Sequence, residues 1–279
     1  MQSKNDFKEQ QQAQKGRKTQ THKDDECMMK KLTAALLSIL LVCAVCFASV
    51  AEEGDELYER GREAFNVKDY DKAFELFSQS AELGDARGIN ALGAMYSGGY
   101  GVEQDPVKAA EHFTKAGEAG NTDGWYNLGH MYLTGTEGME PDYAKSLEYF
   151  TKAADQGNEK GIYMIGYQYC KGAGVEQSFG KAYEYWCKAA KLGSFYAMKA
   201  LGELYREGLG VEQDYEKAAD LFWKSWTEGG EAGGYEEGRI SYEKLIEEGK
   251  IPADYVPKNI NFLTGCAIIF YSGIGGIAS

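Results

Sequence analysis

A chain of 279 residues carrying 43 acidic against 30 basic side chains, a formal net charge of −13, is long enough for one large domain or two small ones. Residues 1–51 hold 8 of the basic and 5 of the acidic residues, so the remainder carries 22 against 38, a net of −16. A field of that sign repels nucleic-acid phosphates and anionic lipid heads, which excludes both as expected partners.

Residues 1–27 are polar, rich in Gln and Lys, and too poor in apolar side chains to build a core, which predicts a disordered extension. Met28-Met29-Lys30-Lys31 then leads into an uncharged run from Leu32 to Ala51 that ends Ala48-Ser49-Val50-Ala51 before Glu52-Glu53. A basic start, an apolar middle and small residues two apart at the end predict a secretory signal peptide over 28–51, cleaved after Ala51. The protein is thus expected to be exported, periplasmic or extracellular, with no membrane association after cleavage. Because such a signal opens a chain, Met28 or Met29 reads as the translational start. The alternative is a membrane anchor over 32–51, since a run of 20 residues just spans a bilayer. Val42 and Val45 precede Cys43 and Cys46 where a lipidation signal wants a small residue.

Beyond residue 51 the chain keeps time with itself. Lys-Ala pairs begin at Lys72, Lys108, Lys181 and Lys217, with Lys145-Ser146 in the remaining slot, at steps of 36, 37, 36 and 36. Gly84, Gly120, Gly157, Gly193 and Gly229 follow the same clock, as do Gly93, Gly129, Gly166 and Gly202. Three residue sets in phase make a repeat array. Each unit has two apolar stretches separated by a glycine-rich loop. Ala197, Leu201, Gly202 and Tyr205 share one helical face, and Gly208-Leu209-Gly210 stops that helix. Asp105, Asp142 and Asp214 are placed to cap the second helices, with Pro106 just inside one of them. Glycine inside a helix costs roughly 0.5–1 kcal/mol relative to alanine, so its recurrence predicts a neighbouring backbone too close for a side chain. Ala73, Ala109, Ala182 and Ala218 are the expected partners in that approach.

Lys181 to Gly193 (KAYEYWCKAAKLG) and Leu201 to Ala219 (LGELYREGLGVEQDYEKAA) resemble the Sel-one-like repeat family, a relative of the tetratricopeptide repeat. The resemblance covers about residues 55–230. It implies an all-α, right-handed α/α superhelical solenoid of helix-turn-helix repeats, acting as an adaptor for another protein or peptide segment. Four repeats fall at about 85–121, 122–158, 159–194 and 195–230. Residues 52–84, with the short turn Asn66-Val67-Lys68-Asp69, read as a tetratricopeptide-like N-terminal cap. Gly238 falls 36 residues after Gly202, so 231–279 is either a degenerate repeat or a C-terminal cap. Pro252 and Pro257 interrupt that region before the apolar stretch Phe262–Phe270.

Chemistry finds little purchase. Past residue 51 there is no CxxC, no His/Cys pair at ligand spacing and no HExxH, so neither a metal nor a cofactor is expected, and His112 and His130 stand alone. Ser178-Phe179-Gly180-Lys181 spells SxxK, a nucleophile motif, but Ser178 occupies the capping slot and no KTG or SDN accompanies it. Three cysteines remain after the signal, Cys170, Cys187 and Cys266, leaving at least one thiol unpaired, while Cys170 and Cys187 are near enough in sequence to bridge consecutive helices. A binding scaffold is therefore the expected function, and a secreted enzyme acting on the cell wall or a purely structural module the alternatives.

By analogy with tetratricopeptide arrays, ligand-facing positions lie beside the Leu-Gly and Tyr landmarks of each first helix. That selects Arg87, Asn90 and Ala94; Asp123, Tyr126 and His130; Lys160, Tyr163 and Tyr167; and Lys199, Glu203 and Arg206. Tyr126, His130, Tyr163 and Tyr167 are expected to form the centre of a peptide groove. The nearby Lys160, Lys199 and Arg206 point to a partner with acidic residues.

Overall fold

The computed structural model describes residues 49–136, 140–229 and 235–258, together with positions 37 and 41, and every repeat in it is a pair of packed helices. The extension 1–27, nearly all of the signal segment and Phe262–Phe270 lie outside the described residues. Helix α1 runs through 49–66 and pairs with α2 (Tyr70–Glu82). Then come α3 (Ala86–Gly98) with α4 (Pro106–Glu118), α5 (Thr122–Thr134) with α6 (Tyr143–Asp155), and α7 (Glu159–Lys171) with α8 (Phe179–Lys191). The pair α9 (Phe195–Glu207) and α10 (Tyr215–Glu228) is followed by α11 (Glu236–Glu247). Each helix packs on the one before and the one after, and the first helices α5 and α7 also touch. This is an all-α solenoid whose contacts are between neighbours, so each pair needs the next to cover its apolar face.

The helix starts are set by side chains. Asp85, Asn121, Asn158 and Ser194 cap the first helices α3, α5, α7 and α9, and Asp105, Asp142, Ser178 and Asp214 cap the second helices α4, α6, α8 and α10. Ser178 Oγ accepts the Lys181 amide at 3.3 Å, the cap expected in place of a nucleophile. The register lysine bridges cap and ring, for Lys108 Nζ lies 3.4 Å from Asp105 and 5.2 Å from the centre of the Tyr96 ring. Lys145 with Asp142 and Tyr132, and Lys217 with Asp214 and Tyr205, repeat the arrangement. Where Ser178 replaces the aspartate, Lys181 keeps the ring of Tyr169, at 4.8 Å. These exposed pairs align the loop more than they stabilise it. Gly99, Gly172 and Gly208 end their helices with φ of 67°, 68° and 68°, the left-handed region that glycine enters without steric cost. The loop after α5 is one residue longer: the Asp142 amide bonds back to the Tyr132 carbonyl, whereas Asp105 reaches Tyr96 and Asp214 reaches Tyr205 one residue sooner.

The interior glycines have a different neighbour from the one expected. A Cβ on Gly93, Gly129, Gly166 or Gly202 would stand 2.5–2.6 Å from the ring of Phe113, Phe150, Trp186 or Phe222, each on the second helix of the same pair. An aromatic face, not a backbone, fills the space. The Lys-Ala slot does touch the same turn, since Ser146 Oγ donates to the Gly129 carbonyl at 2.8 Å, but the alanines do not close over the glycine. Close backbone approach occurs at another glycine set, five residues earlier. A Cβ on Gly124 would meet Phe113 O at 2.5 Å, and one on Gly238 would meet Phe222 O at 2.7 Å. Gly88 and Gly161 hold the same place, and Ala197 takes it in α9. Gly238 therefore belongs with Gly124 and not with Gly202, which corrects the register of the last helix. Glu243 stands where the preceding first helices carry the ring-contacting glycine, and it pairs with Arg239 at 2.5 Å. A charged side chain at that place ends the glycine–ring pattern.

Past α11 the chain folds back on α10. Ile251 is buried, Tyr255 Oη donates to Asp220 Oδ1 at 2.9 Å, and the Lys258 amide donates to the same oxygen at 2.8 Å. Burial raises the Asp220 pKa against the pull of those two donors.

Candidate functional site

Register places one residue of each first helix at the same helical position. The fifth helical positions are Asn90, Tyr126, Tyr163 and Lys199, and the ninth are Ala94, His130, Tyr167 and Glu203. The structure gathers Tyr163, Tyr167, Lys199 and Glu203 into one groove of about 280 Å³ between α7, α9 and the start of α11. Tyr126 adjoins it, its phenol near enough to influence that of Tyr163. Asn90 and His130 lie further up the array: Asn90 Oδ1 accepts from Asn127 Nδ2 at 3.0 Å, and His130 is exposed beside the Tyr126 ring. His112 is stacked on Tyr96 with centroids 5.5 Å apart, and burial lowers its pKa.

Ten of the fourteen groove residues were missed by sequence reasoning, and four of them shape the site. Tyr196 holds the second helical position of α9, as Arg87, Asp123 and Lys160 do in theirs, and the choice of Lys199, Glu203 and Arg206 stepped past it by one turn. Glu237 holds the same position in α11. Tyr235 stands at the N-cap of α11, where the preceding first helices have Asp, Asn or Ser, and makes no capping bond. Trp186 reaches the groove from α8: its Nε1 donates to the Tyr163 carbonyl at 3.0 Å and its ring stacks on Tyr163 with centroids 6.1 Å apart. The Tyr196 ring lies 5.8 Å from Tyr163 and 5.1 Å from Tyr235, tilted against the first and nearly perpendicular to the second. Phe195 packs on Tyr196 with centroids 4.2 Å apart, so these rings form one aromatic cluster at the groove. Burial, then neighbouring phenols, push the Tyr163 pKa up to about 12, and burial, then Glu237, raise that of Tyr235. These hydroxyls stay protonated at neutral pH.

The charges are arranged against the acidic-partner expectation. Lys160 pairs with Asp123 at 3.3 Å, Lys199 with Glu237 at 2.9 Å, and Arg206 with Glu203 at 2.7 Å and Glu207 at 2.9 Å. Each cation chosen to attract an acidic partner already holds a carboxylate of its own chain. The bridge considered between Cys170 and Cys187 is not formed: Cys170 lines the groove and Cys187 is buried beside Tyr183. Among the described residues no group of three or more His, Cys, Asp or Glu is placed to hold a metal ion. A wider hollow, about 630 Å³, lies between α4 and α6 over Leu128 and Tyr132.

The Sel1 repeat pattern matches residues 52–85, 86–121, 126–158, 160–194 and 195–224. HcpD of Helicobacter pylori, provisionally named a beta-lactamase, is 34% identical over 82 residues, 29% of this chain and 27% of that protein. Human protein sel-1 homolog 2 is 35% identical over 71 residues, 25% of this chain and 10% of that protein. The chain thus matches about a quarter or less of the length of these relatives. Among solved structures, a Sel1 repeat protein from Oxalobacter formigenes superposes with a TM-score of 0.63 at 25% identity, covering 72% of this chain and 81% of that one. The protective antigen c5321 of uropathogenic Escherichia coli, described as an SLR fold, superposes with a TM-score of 0.58 at 29% identity, covering 72% of this chain and 43% of that one.

Proposed function

The chain belongs to the Sel1 repeat family, and we propose that it is an exported scaffold whose inner face takes up a segment of another protein. In this reading residues 52–84 cap the array, the four repeats over 85–230 present the binding face, and 231–279 are a degenerate repeat or a C-terminal cap. The observation that carries the proposal is the convergence of Tyr163, Tyr167, Tyr196 and Tyr235 in one groove. Tyrosine buries a large rigid area and keeps a hydroxyl for hydrogen bonding, the combination found at the anchor points of interfaces. A volume of about 280 Å³ suits one anchoring side chain and its neighbours.

Truncation should test the groove at two residues that are not themselves buried. Tyr163 stacks on Trp186, so its removal disturbs packing as well as binding. Tyr167 is only partly buried and Tyr196 is 43% exposed. Tyr167→Leu and Tyr196→Leu are each expected to weaken a bound segment by roughly five- to a hundredfold at unchanged thermal stability. Normal binding by both variants would move the site to the loops or the outer face.

Export rests on the sequence of 28–51, and among the described residues no helix is long and apolar enough to cross a membrane. N-terminal sequencing of protein recovered outside the cytoplasm is expected to begin at Glu52. A membrane-embedded form retaining Leu32–Ala51 would establish the anchor instead.

A further inference from the structure

We infer that the groove between α7, α9 and α11 selects a basic side chain, so that the segment it takes up presents an arginine or lysine to the faces of Tyr163, Tyr196 and Tyr235. This rests on the proposed binding role of the groove and names the chemistry it reads.

Two independent observations lead there. The first concerns the rings. Elsewhere in the array a tyrosine typically lies beneath a cation of its own chain: Tyr96, Tyr132, Tyr169 and Tyr205 each sit 4.8–5.3 Å from a lysine ammonium. Among the described residues no lysine or arginine lies over Tyr163, Tyr196 or Tyr235. All three rings line the groove, and a ring partly withdrawn from water attracts a cation more strongly than one in bulk water. Tyr235 is present at the expense of a helix cap, a departure from the local pattern of the kind found where a site needs a particular side chain.

The second observation is the state of the ionised groups around those rings. Lys199 is committed to Glu237, and Lys171 stands over Tyr167 at 5.9 Å. Arg206, outside the lining, pairs with Glu203 and Glu207. On the acidic side, Glu237 receives both Lys199 and the Tyr235 hydroxyl on Oε2, and Glu207 receives Arg206 on Oε1. The other oxygen of each carboxylate accepts nothing among the described residues. The charged rim thus has acceptors left over while its lysines are engaged, and a guanidinium, with five donors in a planar fork, is suited to use them. The net charge of −13 draws such a group in from a distance.

The test is selection from a random-sequence peptide library displayed on phage, panned on the full chain and then on the Tyr196→Leu variant. Peptides that bind the first and fail on the second depend on the groove. They are expected to share an arginine or lysine, and exchanging that arginine for citrulline, which keeps the shape and removes the charge, is expected to weaken binding about tenfold. Lys199→Ala, which frees Glu237, should strengthen the same peptides by about threefold. Groove-dependent peptides that lack a basic residue, tolerate citrulline or bind Lys199→Ala less well would overturn the inference and leave the binding role standing. Failure to recover any groove-dependent peptide would overturn both.

Discussion

Gly129→Leu is expected to destabilise the array by about 3 kcal/mol, the upper end of what overpacking costs. A Cβ alone at this position would stand 2.5 Å from the Phe150 ring, which is itself 0% exposed. Neither partner can yield cheaply. Phe150 is walled in on the second helix, and the Gly129 carbonyl is fixed by the Ser146 hydroxyl at 2.8 Å. The remaining leucine atoms must push α5 and α6 apart. Because contacts run between neighbouring helices, the damage should be local: hydrogen exchange is expected to accelerate in α5 and α6 first, then in α4 and α7, while α9 and α10 keep their protection. Unchanged protection of α5 and α6 would show that the ring does not close over the glycine.

The reciprocal change, Phe150→Ala, is expected to cost about 3–5 kcal/mol, the range for emptying a fully buried aromatic site. The two changes should not add. With the ring gone, a leucine at 129 enters the vacated space, so the Gly129→Leu/Phe150→Ala double variant is expected to be clearly more stable than the sum of the single losses implies. Urea denaturation of the four proteins decides this. Strict additivity would mean that glycine and ring are not one packing unit.

That unit shows how far the sequence could be read. The period, the helix pairs, the capping residues Asp105, Asp142, Ser178 and Asp214 and the loop glycines were all legible, because each follows from local backbone chemistry repeated at fixed spacing. What lay above each glycine was not, since Gly129 and Phe150 are twenty-one positions apart in a helix pair whose rotation no local rule sets. Gly238 misled for a related reason: a 36-residue step lands it on Gly202, but α11 is entered through a different connection and its glycine serves the neighbouring backbone. The groove was partly legible. Tyr163, Tyr167, Lys199 and Glu203 followed from register, and holding that register strictly would have added Tyr196, whereas Glu237 needed the corrected register of α11. Tyr235 could not be found this way, because it stands at a capping position. Nor could the pairing of Lys160, Lys199 and Arg206, since side-chain partners across repeats depend on how closely consecutive first helices approach. Those ion pairs turned an expected acidic partner into a proposed basic one.

The central claim, that the tyrosine groove is the binding surface, is tested most directly by amide chemical-shift mapping of the isotope-labelled full chain. The titrant is any peptide segment that the protein binds saturably. Perturbations are expected to concentrate on α7 around Tyr163 and Tyr167, on α9 from Tyr196 to Glu207, and on the start of α11 at Tyr235 and Glu237. Perturbations confined to the α4–α6 hollow around Val107 and Tyr132, or to the loops at Gly99, Gly172 and Gly208, would contradict it.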